Sequence, residues 1–172
     1  MALTIETGTG SANSDSYISL VDARTYATNY GYSLSAVDAD AEVQLRQGAL
    51  YVNTIESQFS GDRVNASQSL AWPRVDATSC SGSLTIDVAS DSVPVSVANA
   101  QVIAASTYAS GVNPRASESG SSIASEEVSG VGKISYFNTG QTTSAIELTE
   151  VTDVLSQYLC LSQGLSLKAK RV

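Results

Sequence analysis

One seven-residue stretch, Gln68-Ser69-Leu70-Ala71-Trp72-Pro73-Arg74, constrains the fold of this chain more than any other. It holds the only tryptophan and one of three prolines, and it lies between two polar loops, 57–67 and 76–83. An indole presents a large apolar face and a single N–H donor. Pro73 fixes its own φ and biases Trp72 towards extended backbone. A bulky ring set between two long polar loops predicts an anchor that pins both loops to the core. Trp72, Pro73 and Arg74 are therefore expected to act as a structural anchor or as part of a subunit interface.

The chain has 172 residues, enough for one domain of ordinary size. Apolar residues make up 42% and charged residues only 15%, a globular composition with a thin charge layer. No apolar run approaches the roughly 20 residues that a membrane helix needs. Met1-Ala2-Leu3-Thr4-Ile5-Glu6 lacks the basic region and apolar stretch of a secretion signal, so retention in the compartment of synthesis is expected.

Chemistry looks poorly supplied. The sequence contains no histidine, which removes the commonest general base and the commonest imidazole ligand. Cys80 and Cys160 match no zinc spacing, and both are expected to be reduced thiols. Serines are abundant, but no Gly-x-Ser-x-Gly elbow occurs. Asp38, Asp40 and Glu42 crowd a predicted helix start, where the helix dipole accounts for them. Glu126 and Glu127 are neighbours on a predicted strand and so point to opposite faces. No cofactor, no metal site and no enzyme are expected.

Charge is distributed unevenly. The net charge is −8, and all 17 acids lie at or before Asp153. From Leu161 on, the chain carries Lys168, Lys170 and Arg171 and no acid. An acidic body repels phosphate backbones, and non-specific nucleic-acid affinity comes mostly from Lys and Arg. The basic tail, 161–172, reads as a solvated end or as an arm that docks on an acidic partner.

Periodicity predicts mainly α structure with a small β part: about four helices, a β-hairpin and long loops. Residues 2–7 alternate as a short strand would. Ser19 opens a helix with Leu20, Ala23, Ala27 and Tyr30 on one face, and Gly31 stops it. A second helix runs from about Asp38 to Ser57. Gly48 inside it costs about 1 kcal/mol relative to Ala, which suggests close approach by another helix. Residues 60–92 read as mostly irregular, with a short strand at 84–86. A third helix starts near Pro94 and ends by Gly111. Glu126-Glu127-Val128 and Ile134-Ser135-Tyr136-Phe137, around Gly130 and Gly132, read as a hairpin. Ser144-Ala145-Ile146-Glu147 reads as a capping box for a last helix with the stripe Leu148, Val151, Leu155, Tyr158, Leu159, closed by Gly164. The tyrosines, Tyr17, Tyr26, Tyr30 and Tyr32 among them, read as core and interface residues, because they lie near Asp15 and Asp22 and no cationic cluster.

The order of segments resembles a known family. Asn13-Ser14-Asp15-Ser16-Tyr17-Ile18-Ser19 comes first, then Arg46-Gln47-Gly48-Ala49-Leu50-Tyr51-Val52 and Phe59-Ser60-Gly61-Asp62-Arg63. Leu70-Ala71-Trp72-Pro73-Arg74, Val93 to Gln101 and Glu127 to Tyr136 follow. This is similar to a family of small tailed-phage proteins encoded among the head–tail joining genes, often labelled DnaT-like single-stranded DNA-binding. The resemblance implies a connector-like domain over residues 1–160 with a basic arm at 161–172. It implies a virion protein, present in the host cytoplasm before assembly, that joins portal to tail as a ring, commonly dodecameric. The ring would contact portal and tail or nozzle proteins and let DNA pass through its lumen, away from any membrane. Lys168, Lys170 and Arg171 would bind the portal. The alternative roles are a replication accessory protein that binds single-stranded DNA and a tail terminator or another tail-joining component.

Overall fold

The computed structural model describes residues 2–81, 84–115, 117–118, 125–128, 132–135, 144–145 and 147–159. The chain divides into two compact units, Met1–Pro114 with Leu148–Val172, and Arg115–Glu147. The larger contains α1 (Leu20–Tyr30), α2 (Asp38–Thr54), α3 (Val95–Ala109) and α4 (Thr149–Leu155). It also holds two short antiparallel pairs, β1 (Asp62–Arg63) with β2 (Arg74–Val75), and β3 (Thr78–Ser81) with β4 (Leu84–Asp87). The smaller contains β5 (Ser117–Glu118) paired with β8 (Ser144–Ala145), and β6 (Ser125–Val128) paired with β7 (Gly132–Ser135). The chain is thus mainly helical with a small β part, as its periodicity predicts, and β6–β7 is the expected hairpin.

Local chemistry sets the ends of α1. The Ser19 hydroxyl accepts from Asp22 N at 3.1 Å and donates to Asp22 Oδ2 at 2.6 Å, a capping arrangement that satisfies an orphan N–H. Gly31 closes the helix in the left-handed region at φ 79°, and its N–H donates to Ala27 O.

α3 lies at the centre of the helical layer, in contact with α1, α2 and α4. Its residues Val97, Ala100, Val102, Ile103, Ala104 and Ala105 are all buried. A helix apolar all round belongs inside a bundle. Gln101 is the polar exception and is fully buried. Its Nε2 donates to Ser16 Oγ and to Leu45 O, each at 2.8 Å, and its Oε1 accepts from Tyr17 N at 2.8 Å. One side chain thus ties the N-terminal segment, α2 and α3 together.

α4 has seven residues, too few to be stable alone. It is held by fully buried Val151 and Leu155, each worth roughly 1.5–3 kcal/mol of apolar burial. The buried Tyr51 hydroxyl accepts from Leu148 N at 2.8 Å. No helix among the described residues is long and apolar enough to cross a membrane.

Several expectations are corrected. Residues 2–7 form an isolated parallel bridge, Ile5 to Ser16, and no strand. The reason is Glu6, which is buried and used as a local acceptor: Gly8 N, Thr9 N and Gly10 N donate to its Oε1 at 2.9, 2.7 and 3.1 Å, and Ser11 N to its Oε2 at 2.8 Å. α2 stops at Thr54 and passes into a short 3-10 helix, Glu56–Gln58. Residues 60–92 contain β1 to β4 where irregular chain with one short strand was expected. Ser144-Ala145 pairs as β8 with β5 and caps no helix; α4 begins only at Thr149. Cys80 is disulfide-bonded, which corrects the reading of two reduced thiols. Its N–H donates to Gln157 O at 2.6 Å, placing β3 beside the segment that follows α4. The chain's other cysteine, Cys160, lies outside the described residues.

Candidate functional site

The Trp72 segment is a buried junction. The indole is 1% exposed and meets Phe59 and Tyr158 edge-on, each at a centroid distance of 5.6 Å. The Trp72–Pro73 peptide is cis. Trp72 N donates to the Tyr17 hydroxyl at 3.2 Å, Ala71 N donates to Asn53 Oδ1 at 2.8 Å, and Gln68 Nε2 donates to Leu70 O and Pro73 O at 2.7 and 3.0 Å. Burial pushes the Tyr17 phenol well above its ordinary range, only partly offset by the Trp72 and Ala71 backbone. Trp72 Nε1 is buried with no hydrogen-bond partner among the described residues.

Arg74 is 5% exposed. It donates from Nε to Ser60 O at 2.8 Å, from NH1 to Ala71 O and Glu56 Oε1 at 3.2 Å each, and from NH2 to Gly61 O. Arg63 grips the same carboxylate, with Nε at 2.6 Å from Oε1 and NH2 on Oε2. The Arg63 hydrogen bond holds Glu56 below the usual carboxylate range, and Glu56 in turn raises Arg63. The two arginines clamp the loops either side of Trp72 from within the chain.

The other described arginines of the helical unit are also engaged. Arg24 pairs with Asp38 at 2.7 Å, and Arg46 pairs with Asp15 at 2.6 Å and Glu42 at 3.8 Å. Lys133 lies on β7, while Lys168, Lys170 and Arg171 lie outside the described residues. The structure therefore places the Trp72-Pro73-Arg74 group in one buried cluster and says nothing of the basic tail.

Among the described residues, the most exposed aromatic feature sits at the end of α1. Tyr26 and Tyr30 have ring centroids 4.4 Å apart at 31°, and Tyr26 and Tyr32 lie 6.1 Å apart and nearly parallel at 15°. Tyr26 and Tyr32 pack on the core, whereas Tyr30 is 67% exposed. The Tyr32 hydroxyl donates to Glu150 Oε2 at 3.4 Å; burial first, and Glu150 second, raise its pKa. Beside the array runs a groove of about 500 Å³ lined by Gly31, Ser33, Leu34, Ser35, Gln44 and Ser106, among others. Tyr17 is buried, as a core residue would be, whereas the Tyr30 ring faces outward. The missed signal was three tyrosines straddling a helix-ending glycine.

The model of the family described as "Putative DnaT-like ssDNA binding protein" matches residues 1–172. No curated protein matches the chain, and no solved structure matches it. The family description names single-stranded DNA binding and nothing of a head–tail connector. It overturns the expectation of a portal-bound dodecameric connector ring. The expectation leaned on the acidity of the body. Net charge alone does not locate the cations: Arg24, Arg46, Arg63 and Arg74 pair with acids of the body, whereas Lys168, Lys170 and Arg171 stand apart in the acid-free tail.

Proposed function

We propose that this chain, which belongs to the family of DnaT-like ssDNA binding proteins over residues 1–172, binds single-stranded DNA as a replication accessory protein, without a reaction of its own. The whole-length family match carries this reading. Physical support comes from the distribution of cations. Arg24, Arg46, Arg63 and Arg74 are committed to carboxylates, and we assign phosphate contact to the cations of the acid-free tail, Lys168, Lys170 and Arg171, aided by Lys133. Three to four cations on an acidic body support weak, strongly salt-dependent binding. Each neutralised phosphate contributes about −0.7 to the slope of log affinity against log salt for a single strand, so the slope expected here is about −2 to −3.

Fluorescence anisotropy of a labelled oligothymidylate, titrated at low and then rising salt, tests the reading. Binding at low salt with that slope supports it. Replacing Lys168, Lys170 and Arg171 together by alanine is expected to leave a slope near that of one contact. Absence of binding at low salt sinks the proposal.

A further inference from the structure

Phosphate contacts hold a strand without engaging its bases, and sequence-tolerant base contact comes from stacking on aromatic faces. Tyr26 and Tyr30 are four residues apart on α1, and such a ring pair by itself does no more than add about 0.2–0.5 kcal/mol to a helix. Three further observations go beyond helix support. Gly31, at φ 79°, turns the chain so that Tyr32, from outside the helix, joins the array almost parallel to Tyr26. Tyr26 and Tyr32 are backed by the core and so are held in place, while Tyr30 stands in solvent. The groove is lined by Gly31 and by the hydroxyl- and amide-bearing residues Ser33, Ser35, Gln44 and Ser106; Ser35 Oγ, Gln44 Oε1 and Ser106 Oγ each accept a backbone N–H, and the hydroxyl and amide hydrogens of these side chains suit acceptors on the edges of bases. Its volume of about 500 Å³ falls within the range of small-molecule sites.

We propose that Tyr30, braced by Tyr26 and Tyr32, is the stacking platform for a base of the bound single strand, with the neighbouring groove receiving the next nucleotide. The inference rests on the single-stranded DNA reading and assigns it a place on the protein. Asp38 is paired with Arg24, Glu150 contacts the array through Tyr32, and Asp22 lies one helical turn before Tyr26 on α1. The site therefore contributes stacking and no cationic attraction, and the two kinds of contact separate experimentally.

The test measures anisotropy with oligothymidylate and with an abasic oligomer of equal length, for the wild type, Tyr30→Ala, Tyr30→Leu and Tyr30→Phe. Loss of one stack corresponds to about 5- to 140-fold in affinity. Tyr30→Ala and Tyr30→Leu should lose that factor on oligothymidylate and nothing on the abasic oligomer, and Tyr30→Phe should match the wild type. Tyr30→Leu keeps bulk against Tyr26, so a shared loss identifies the π face. Wild-type binding to oligothymidylate that is unchanged in Tyr30→Ala and Tyr30→Leu overturns the platform while leaving the binding reading intact. An equal loss on both oligomers overturns it too. Wild-type protein that binds neither oligomer at low salt overturns both proposals.

Discussion

A Cβ built on Gly48 of α2 would stand 2.2 Å from the backbone oxygen of Gln101 on α3. The two helices meet backbone to backbone at that point, beside the Gln101 side chain that bridges to Ser16, Leu45 and Tyr17. The close crossing is why a residue unfavourable to helices occupies the middle of α2.

Two effects of opposite sign compete in Gly48→Ala. Helix propensity favours alanine by about 1 kcal/mol. The added methyl would meet a carbonyl and Ala105 N at 3.0 Å, groups that cannot swing aside without moving a helix. Overpacking of this kind typically costs about 1–3 kcal/mol. Net destabilisation is expected in urea unfolding; a gain in stability would show that α2 and α3 separate easily.

Trp72→Ala empties a site bounded by Phe59 and Tyr158, and should cost about 3–5 kcal/mol. Trp72→Phe is expected to cost clearly less. It keeps an aromatic ring between the same neighbours, and the indole N–H makes no hydrogen bond among the described residues that phenylalanine would forfeit. Equal losses for the two variants would assign the role of Trp72 to what phenylalanine lacks, the larger ring and its N–H.

Acid should weaken the fold through two carboxylates. Burial raises the pKa of Glu6, but the N–H groups of Ser11, Thr9 and Gly8 more than offset this, and the net shift is downward. Glu56 is lowered chiefly by the hydrogen bond from Arg63. A folded-state pKa below the unfolded value gives stability that is present above the unfolded value, 4.5, and is lost as pH falls through the folded one. Urea midpoints should therefore be flat near neutrality and fall below about pH 4.5. Glu6→Gln should lower the neutral midpoint and flatten the acid limb. An acid limb as steep as that of the wild type would exclude Glu6 as a contributor.

Elements governed by local rules were legible in the chain. Ser19, Gly31 and Pro94 mark helix ends because capping and φ preferences act within a few residues, and Gly48 signalled its crossing because a mid-helix glycine is costly without one. The failures came where a local pattern served a distant purpose. Glu6 occupied a polar-out position of a strand pattern, yet its carboxylate gathers the N–H groups of residues 8–11. Ser144 to Glu147 spelled a capping box, yet Ser144-Ala145 is paired with Ser117-Glu118. The hub at Gln101 had no local signature, because its partners Ser16 and Tyr17 lie 85 and 84 residues away.

The chain by itself determined the helical class, the ends of α1 and α3, the anchoring character of Leu70 to Arg74 and the separation of a basic tail from an acidic body. These follow from short-range propensity, burial preference and composition. Only the tertiary structure decided that Arg63 and Arg74 share Glu56, that Gln101 joins three segments and that Tyr30 faces solvent while Tyr17 is enclosed. Which groups pair, and which ring stays outside, depends on contacts between residues far apart in sequence, and no local periodicity carries that information.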